Sequence, residues 1–377
     1  MYIGLAAYYQ ARNITNFAQL ARSFKLPDPL EATMISRIIA ALMILLLSSC
    51  TTTQVANDSI PTSYFDHSGR DDVLSGGVKL IPIETPKGNF NVWTRRVGNN
   101  PAIKVLLLHG GPGGSSDFMS VFDSFFPAAG IEYYHYDQLG SFRSDKPDEP
   151  DLWETGRFVG EVEQVRIALG LDSSNFYLWG QSWGGLLAME YALAHQDNLK
   201  ALVISNMVSS IPAYNEYANQ VFKSQMDPDV LAELKAFEAA EDYHNPRYMK
   251  LLLEHHYVQH VVRIPLEEWP DAVNLGFARL NTDVYIPMQG PSELGASGKL
   301  LNWDRSSDLN QIRVPTLTIG ASHDTMDPKH MEWMAGEVQN GRYHHCPNGG
   351  HAAQFDDSEV YFEGLIRFIR DVDAGRF

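Results

Sequence analysis

Hydrophobic and polar positions alternate along the chain in two rhythms. Short apolar runs that stop at glycine or at polar turn residues predict strands over Val78–Ile83, Phe90–Val97, Lys104–Leu108, Glu132–Tyr136, Phe176–Trp179, Leu199–Ser205, Thr316–Gly320 and Arg342–His345. The first two are joined through Thr85-Pro86-Lys87-Gly88, a turn-rich connection that makes them an antiparallel pair. Longer stretches with helical patterning lie between the later strands: near Phe118–Phe126, from Glu154 to Leu169, from the glycines after Ser182 to about His195, from Lys329 to Val338, and from Val360 to Val372. Strands that alternate with helices predict an α/β fold, a mostly parallel sheet with helices on both faces. From Val208 to Trp303 the alternation stops, and Ala213–Ser224, Pro228–Ala240 and Pro246–Val262 read as successive helices with no apolar strand among them. That is too long for a loop inside a compact domain and predicts an inserted helical cap. The organisation expected is therefore a core over residues 77–207 and 304–377, a cap over 208–303, a flexible tether over 50–76, and an N-terminal extension with a signal segment over 1–49.

Within this pattern one junction carries chemistry. The run Phe176-Tyr177-Leu178-Trp179 ends at Gly180-Gln181-Ser182-Trp183-Gly184-Gly185 and passes directly into helical sequence. A serine flanked by glycines between a buried strand and a helix is a nucleophile elbow. The glycines are needed because the serine sits on a tight turn where neighbouring side chains would clash. Its hydroxyl is pushed out above the sheet, and the N–H of Trp183 points where an oxyanion would form.

Serine is a poor nucleophile at neutral pH and needs a base, which in turn needs a group to hold its tautomer. On such a sheet these partners follow the serine in the order acid, then histidine, on loops after later strands. Asp324 stands at the carboxyl end of the strand Thr316–Gly320 and is the expected orienting acid, whereas Asp327, just ahead of Pro328 and a helix, reads as a helix cap. Glycine-flanked His351 follows the next strand and is the expected general base. The second oxyanion donor should come from the loop after Lys104–Leu108, His109-Gly110-Gly111-Pro112-Gly113-Gly114, with Gly111 the expected residue. His256 and His260 are four residues apart, yet no acidic third ligand lies near them, so no metal and no cofactor is expected.

Composition narrows the partners. The 377 residues are 44% hydrophobic and 20% charged, with a net charge of −17 and no basic run, which argues against a nucleic-acid partner. The two cysteines, Cys50 and Cys346, are too few for a disulfide framework. Met34-Ile35-Ser36-Arg37, the apolar run Ile38–Leu47 and Ser48-Ser49-Cys50 resemble a bacterial lipoprotein signal; the apolar run has about ten residues, against about 20 needed to span a bilayer. The resemblance implies cleavage before Cys50 and lipidation of its thiol, with Met34 as the start of translation and residues 1–33 as an upstream extension. It also implies export and a lipid anchor in the membrane. Thr51, in place of an aspartate after the cysteine, favours the outer membrane on its periplasmic side.

Taken together, the His109–Gly114 loop, Asp137-Gln138-Leu139-Gly140 with Arg143-Ser144-Asp145, the Gly180–Gly185 elbow, Gly290-Pro291 with Glu293, and Trp303-Asp304 resemble the proline iminopeptidase family. The similarity spans residues 77–375. It implies an α/β-hydrolase fold with a helical cap, Ser182, Asp324 and His351 as the triad, and removal of an N-terminal residue, often proline, from short peptides or amino-acid amides with a free amino terminus. An amine of pKa about 7.7 to 8.0 is mostly protonated at neutral pH, so carboxylates should converge on it. Glu216, Glu254 and Glu293 are the candidates, all within the range expected for the cap. An amino-acid amidase or esterase with the same triad is the alternative of the same chemistry. A catalytically silent surface binding protein is the alternative of another class.

Overall fold

The computed structural model describes residues 62–377; Cys50 and the signal-like run lie outside the described residues. Its centre is an eight-stranded sheet in the order β1-β2-β4-β3-β5-β6-β7-β8. β1 (Val78–Thr85) and β2 (Gly88–Val97) form the antiparallel hairpin, and β2 also runs antiparallel to β4 (Glu132–Asp137). All other pairings are parallel, among β3 (Lys104–Leu108), β4, β5 (Phe176–Gln181), β6 (Ala201–Ser205), β7 (Thr316–Ala321) and β8 (Gly341–Cys346).

The central strands are near-continuously apolar because both sheet faces are covered. Successive side chains point to opposite faces, so each strand feeds two cores. Leu106, Leu108, Leu178, Leu202 and Ile204 pack on one face with the helices Thr155–Leu169 (α1) and Trp183–His195 (α2). Val105, Leu107, Tyr177, Trp179, Val203 and Ile319 pack on the other, against Phe122, Phe126 and the closing helix Ser358–Asp373. The stretch read as helix near Phe118–Phe126 is a 3-10 segment, Ser116–Ser124, followed by one short turn of α-helix. Its apolar residues still face inward, which is why the pattern looked helical.

Between β6 and β7 the described chain is helical, with Ile211–Tyr217 (α3), Pro228–Ala239 (α4), Pro246–Leu252 (α5), Asp271–Ala278 (α6) and Thr282–Met288 (α7) as its longer α-helices. α3 and α5 each run on into a π-helical turn. The two stems of this region lie side by side: Ile211 N–H donates to Trp303 O (2.9 Å), and Arg305 N–H donates to Ser209 O (2.8 Å). A second seam joins it to the core, where His351 and Ala352 N–H groups donate to the carbonyls of His260 (2.7 Å) and Val261 (2.8 Å). Asp356 strengthens that seam by accepting from the N–H groups of Arg263 and Gly350.

Of the stretch 50–76 expected as a tether, the described part from residue 62 on is tied to the core. Tyr64 is buried, donates to Ile131 O (3.0 Å), and lies across Gly98, where any side chain would strike its ring. Asp72 forms a two-bond ion pair with Arg96 (2.6 and 2.8 Å), and both side chains are buried. The polar, pattern-free sequence hid this because the contacts are made by a few isolated residues rather than by a periodic face.

Candidate active site

Ser182 occupies the turn between β5 and α2 with φ +55° and ψ −126°, a conformation that non-glycine residues seldom adopt. The surrounding glycines make it possible. A Cβ on Gly180 would lie 1.9 Å from Gly184 O, and one on Gly184 would lie 2.1 Å from Leu108 O. Ser182 N–H donates to Ser205 O (3.1 Å), which fixes the turn against β6.

The loops at the carboxyl ends of the strands are tied to this turn. Gln181 Nε2 donates to His351 O (3.0 Å), and Trp183 Nε1 donates to Gln138 Oε1 (2.9 Å). Gln138 N–H donates to His109 Nε2 (3.2 Å), which leaves the proton on Nδ1 to bond Gly110 O (2.8 Å). Burial lowers the pKa of His109 below its ordinary value and so favours this neutral form. His109 thereby braces the glycine loop that carries Gly111, a role that its place at the head of that loop did not disclose. Gly111 has φ +114° and lines the cleft beside Ser182. Among the described residues, neither Gly111 N–H nor Trp183 N–H has a hydrogen-bond acceptor.

His351 Nδ1 lies 2.8 Å from Asp324 Oδ1. Asp324 is fully buried, and its Oδ1 also accepts from Met326 N–H (3.1 Å), its Oδ2 from Asn206 Nδ2 (2.8 Å). The imidazole is thus held as the Nδ1–H tautomer with a basic Nε2, and that Nε2 is buried without a partner among the described residues. Burial alone would lower the pKa of His351. The charge and hydrogen bond of Asp324 outweigh it, with Glu293 and Asp356 adding to them, and hold the group above its ordinary value. Asp327, the rival acid, accepts from Lys329 N–H (2.9 Å) as the cap of the helix Pro328–Glu337.

Ser182 and His351 open on one cleft with about 970 Å³ of atom-free space, mouth included, roofed by Tyr257, Phe277 and Ile286 from the helical region. Of the three glutamates expected to bind an amine, only Glu293 reaches it. Its Oε1 accepts from Tyr285 OH (2.6 Å), and its Oε2 is buried with no partner among the described residues. Burial, with the negative charge of Glu293, pushes the Tyr285 phenol well above its ordinary value, so Tyr285 stays a donor. Tyr214 OH and His256 Nε2 hold the Glu293 carbonyl at 2.8 and 3.1 Å.

The other two expectations are corrected. Glu216 is exposed on α3, where its Oε1 accepts from Gln220 Nε2 (2.9 Å), and Glu254 is exposed beside Lys250 (3.8 Å). Both sit on the outer face of their helices, a phase that loosely amphipathic sequence does not fix. His256 and His260 bond backbone carbonyls, and among the described residues no group of acids, histidines and cysteines is arranged to hold a metal ion.

Comparison with known proteins agrees with this architecture. The α/β hydrolase fold family matches residues 104–358. A proline iminopeptidase of Elizabethkingia meningoseptica is 55% identical over 300 residues, which is 79% of this chain and 100% of that protein. The chain belongs to the proline iminopeptidase family. A second member, from Flavobacterium johnsoniae, is 52% identical over 294 residues, covering 78% of this chain and 98% of its own length. Among solved structures, the proline iminopeptidase of Mycobacterium smegmatis superposes with a TM-score of 0.70 at 26% identity, covering 80% of this chain and 100% of that one. Proline iminopeptidase relatives therefore match the helical region between β6 and β7 as well as the sheet.

Proposed function

We propose that the protein is a serine aminopeptidase that releases an N-terminal proline, or another small apolar residue, from short peptides. The observation that carries this reading is the unpartnered Glu293 Oε2, buried in the cleft that also holds Ser182 and His351. A buried carboxylate oxygen without a donor is costly unless a ligand supplies one. A protonated amino terminus is such a ligand, and the apolar walls suit a small ring beside it.

In this mechanism the amine pairs with Glu293 and so sets the first peptide bond over Ser182. Ser182 Oγ attacks the carbonyl carbon while His351 Nε2 takes its proton, and Asp324 stabilises the imidazolium that forms. Gly111 and Trp183 N–H groups receive the oxyanion. Collapse breaks the C–N bond, and His351 returns the proton to the leaving amine. Water then attacks the acyl-enzyme with His351 as base and frees Ser182. Glu216 and Glu254 have no part in it.

The Ile38–Leu47 run and Cys50 support an exported protein held by a lipid on Cys50 at the periplasmic side of the outer membrane. Among the described residues no helix is long and apolar enough to cross a membrane. Mass spectrometry of the membrane fraction tests this, since a Cys50→Ser variant should lose the acyl mass and the sedimenting form.

The activity is tested with proline and alanine arylamides, each with a free or acetylated amino group. Fast cleavage of free proline arylamide, stopped by acetylation, is the expected result. Equal cleavage of acetylated substrates or simple esters would replace the aminopeptidase with a broader amidase or esterase on the same triad.

A further inference from the structure

Asn206, one residue beyond the carboxyl end of β6, is fully buried and has its backbone in the left-handed region at φ +50°. Asparagine tolerates that conformation better than most residues, and buried exceptions of this kind persist only where the surroundings over-determine them. Here the N–H of Asn206 is pinned to Ile319 O on β7 (2.8 Å). Its side-chain Nδ2 donates to Asp324 Oδ2 (2.8 Å) and to the carbonyl of Gly350 (3.2 Å), the residue before His351. Only the amide nitrogen can serve two acceptors, so the orientation of the amide is fixed.

Behind Asn206 the hydrogen bonds run in one direction. Trp179 Nε1 donates to the Tyr361 hydroxyl (3.0 Å), and Ser205 Oγ donates to Asn206 Oδ1 (2.8 Å). The link between them, Tyr361 OH with Ser205 Oγ (2.8 Å), must then be donated by Tyr361. Trp179, Tyr361, Ser205 and Asn206 thus form a fully buried series of donors ending on the carboxylate. In a low dielectric such a series polarises each member toward its end.

We infer that Asn206 is a positioning residue for the hydrolysis, acting through Asp324. The inference rests on the roles proposed above for Asp324 and His351. An aspartate carboxyl turns readily about its last torsion. The donors on Oδ1 hold that oxygen, but they do not set the plane of the group. Asn206 holds Oδ2 and the Gly350 carbonyl together, so one amide fixes both the acid and the loop that carries the base. Chain order concealed this link. The one signal in the sequence was an asparagine at the carboxyl end of a central strand, where ligand sites of such sheets gather.

The test is a double-mutant cycle. Asn206→Gly removes the amide and suits the left-handed backbone. It is compared with the parent in the otherwise unchanged protein and in Asp324→Ala, using a proline aryl ester reactive enough to keep residual turnover measurable. In the unchanged protein kcat should fall about 10- to 100-fold with KM within about twofold. In the Asp324→Ala background Asn206→Gly should cause no further loss. Ser205→Ala, a milder change, should show the same pattern at about threefold and carries the cycle alone if Asn206→Gly does not fold. Equal losses in both backgrounds, or an unchanged kcat in a folded Asn206→Gly protein, would overturn the inference. A wild-type kcat in Asp324→Ala would instead remove the acid from the mechanism, and this inference with it.

Discussion

Replacing Glu293 by glutamine changes one charge and almost no volume, which makes it a direct probe of how the substrate is held. The carboxylate has one oxygen satisfied by Tyr285 and one with no partner. A hydrogen bond to a charged group is worth about 1.5 to 3 kcal/mol. At about 1.36 kcal/mol per decade, Glu293→Gln should lower kcat/KM for a free-amine proline arylamide about 10- to 150-fold at pH 7. The upper end is expected, because a glutamine that accepts from Tyr285 would turn its NH2 toward the ammonium. A simple aryl ester without an amine should not be cut more slowly, since Ser182, Asp324 and His351 keep their contacts and loss of the Glu293 charge lowers the His351 pKa, which leaves more of its imidazole neutral. Glu216→Gln and Glu254→Gln, both on exposed helix faces, should leave both substrates within about twofold. Equal slowing of the ester and the arylamide by Glu293→Gln, or a matching effect of Glu216→Gln, would refute amine recognition by Glu293.

Three further outcomes are expected. Ser182→Ala should lower kcat on the order of a millionfold with an unchanged thermal midpoint, and retention of normal turnover in the purified variant would remove Ser182 as nucleophile. Because protonated His351 cannot accept the Ser182 proton, kcat/KM for an amine-free ester should fall as pH drops through the raised pKa of His351, with its half-point above about 6.5; a half-point below that value would contradict the Asp324 pairing. Asp72→Ala should destabilise the fold by about 3 to 5 kcal/mol in denaturant titration, since it leaves the Arg96 guanidinium buried without its carboxylate partner. A loss under about 1 kcal/mol would show that residues 62–76 are not integral to the fold.

The parts of this molecule that sequence disclosed are those whose physics is local. A strand that ends at Gly180, a serine that must turn, and a helix that starts at once are all determined within a few residues, and so is the Asp327 cap before Pro328. Glu216 and Glu254 failed because the side of a cap helix that faces the cleft depends on how the cap docks. Glu293 lies in a loop held by Tyr285, eight residues away, and by Tyr214 and Tyr257, which are distant in the chain, so its burial could not be read from its neighbours. The role of Asn206 is hidden for the same reason, because its partners Asp324 and Gly350 come from the loops after later strands.

The seam between residues 260–263 and 350–356 bears on how such proteins can be recombined. Backbone donors of the loop with His351 end on carbonyls of the helical region, so these two stretches are one mechanical unit although they are far apart in the gene. A graft that swapped only the segment between the Ser209 and Arg305 stems would present foreign carbonyls at that seam. The N–H groups of His351 and Ala352 could then lose their acceptors, and the imidazole its height above Ser182. Transplanted specificity should therefore keep its rate only when residues 350–356 travel with the graft.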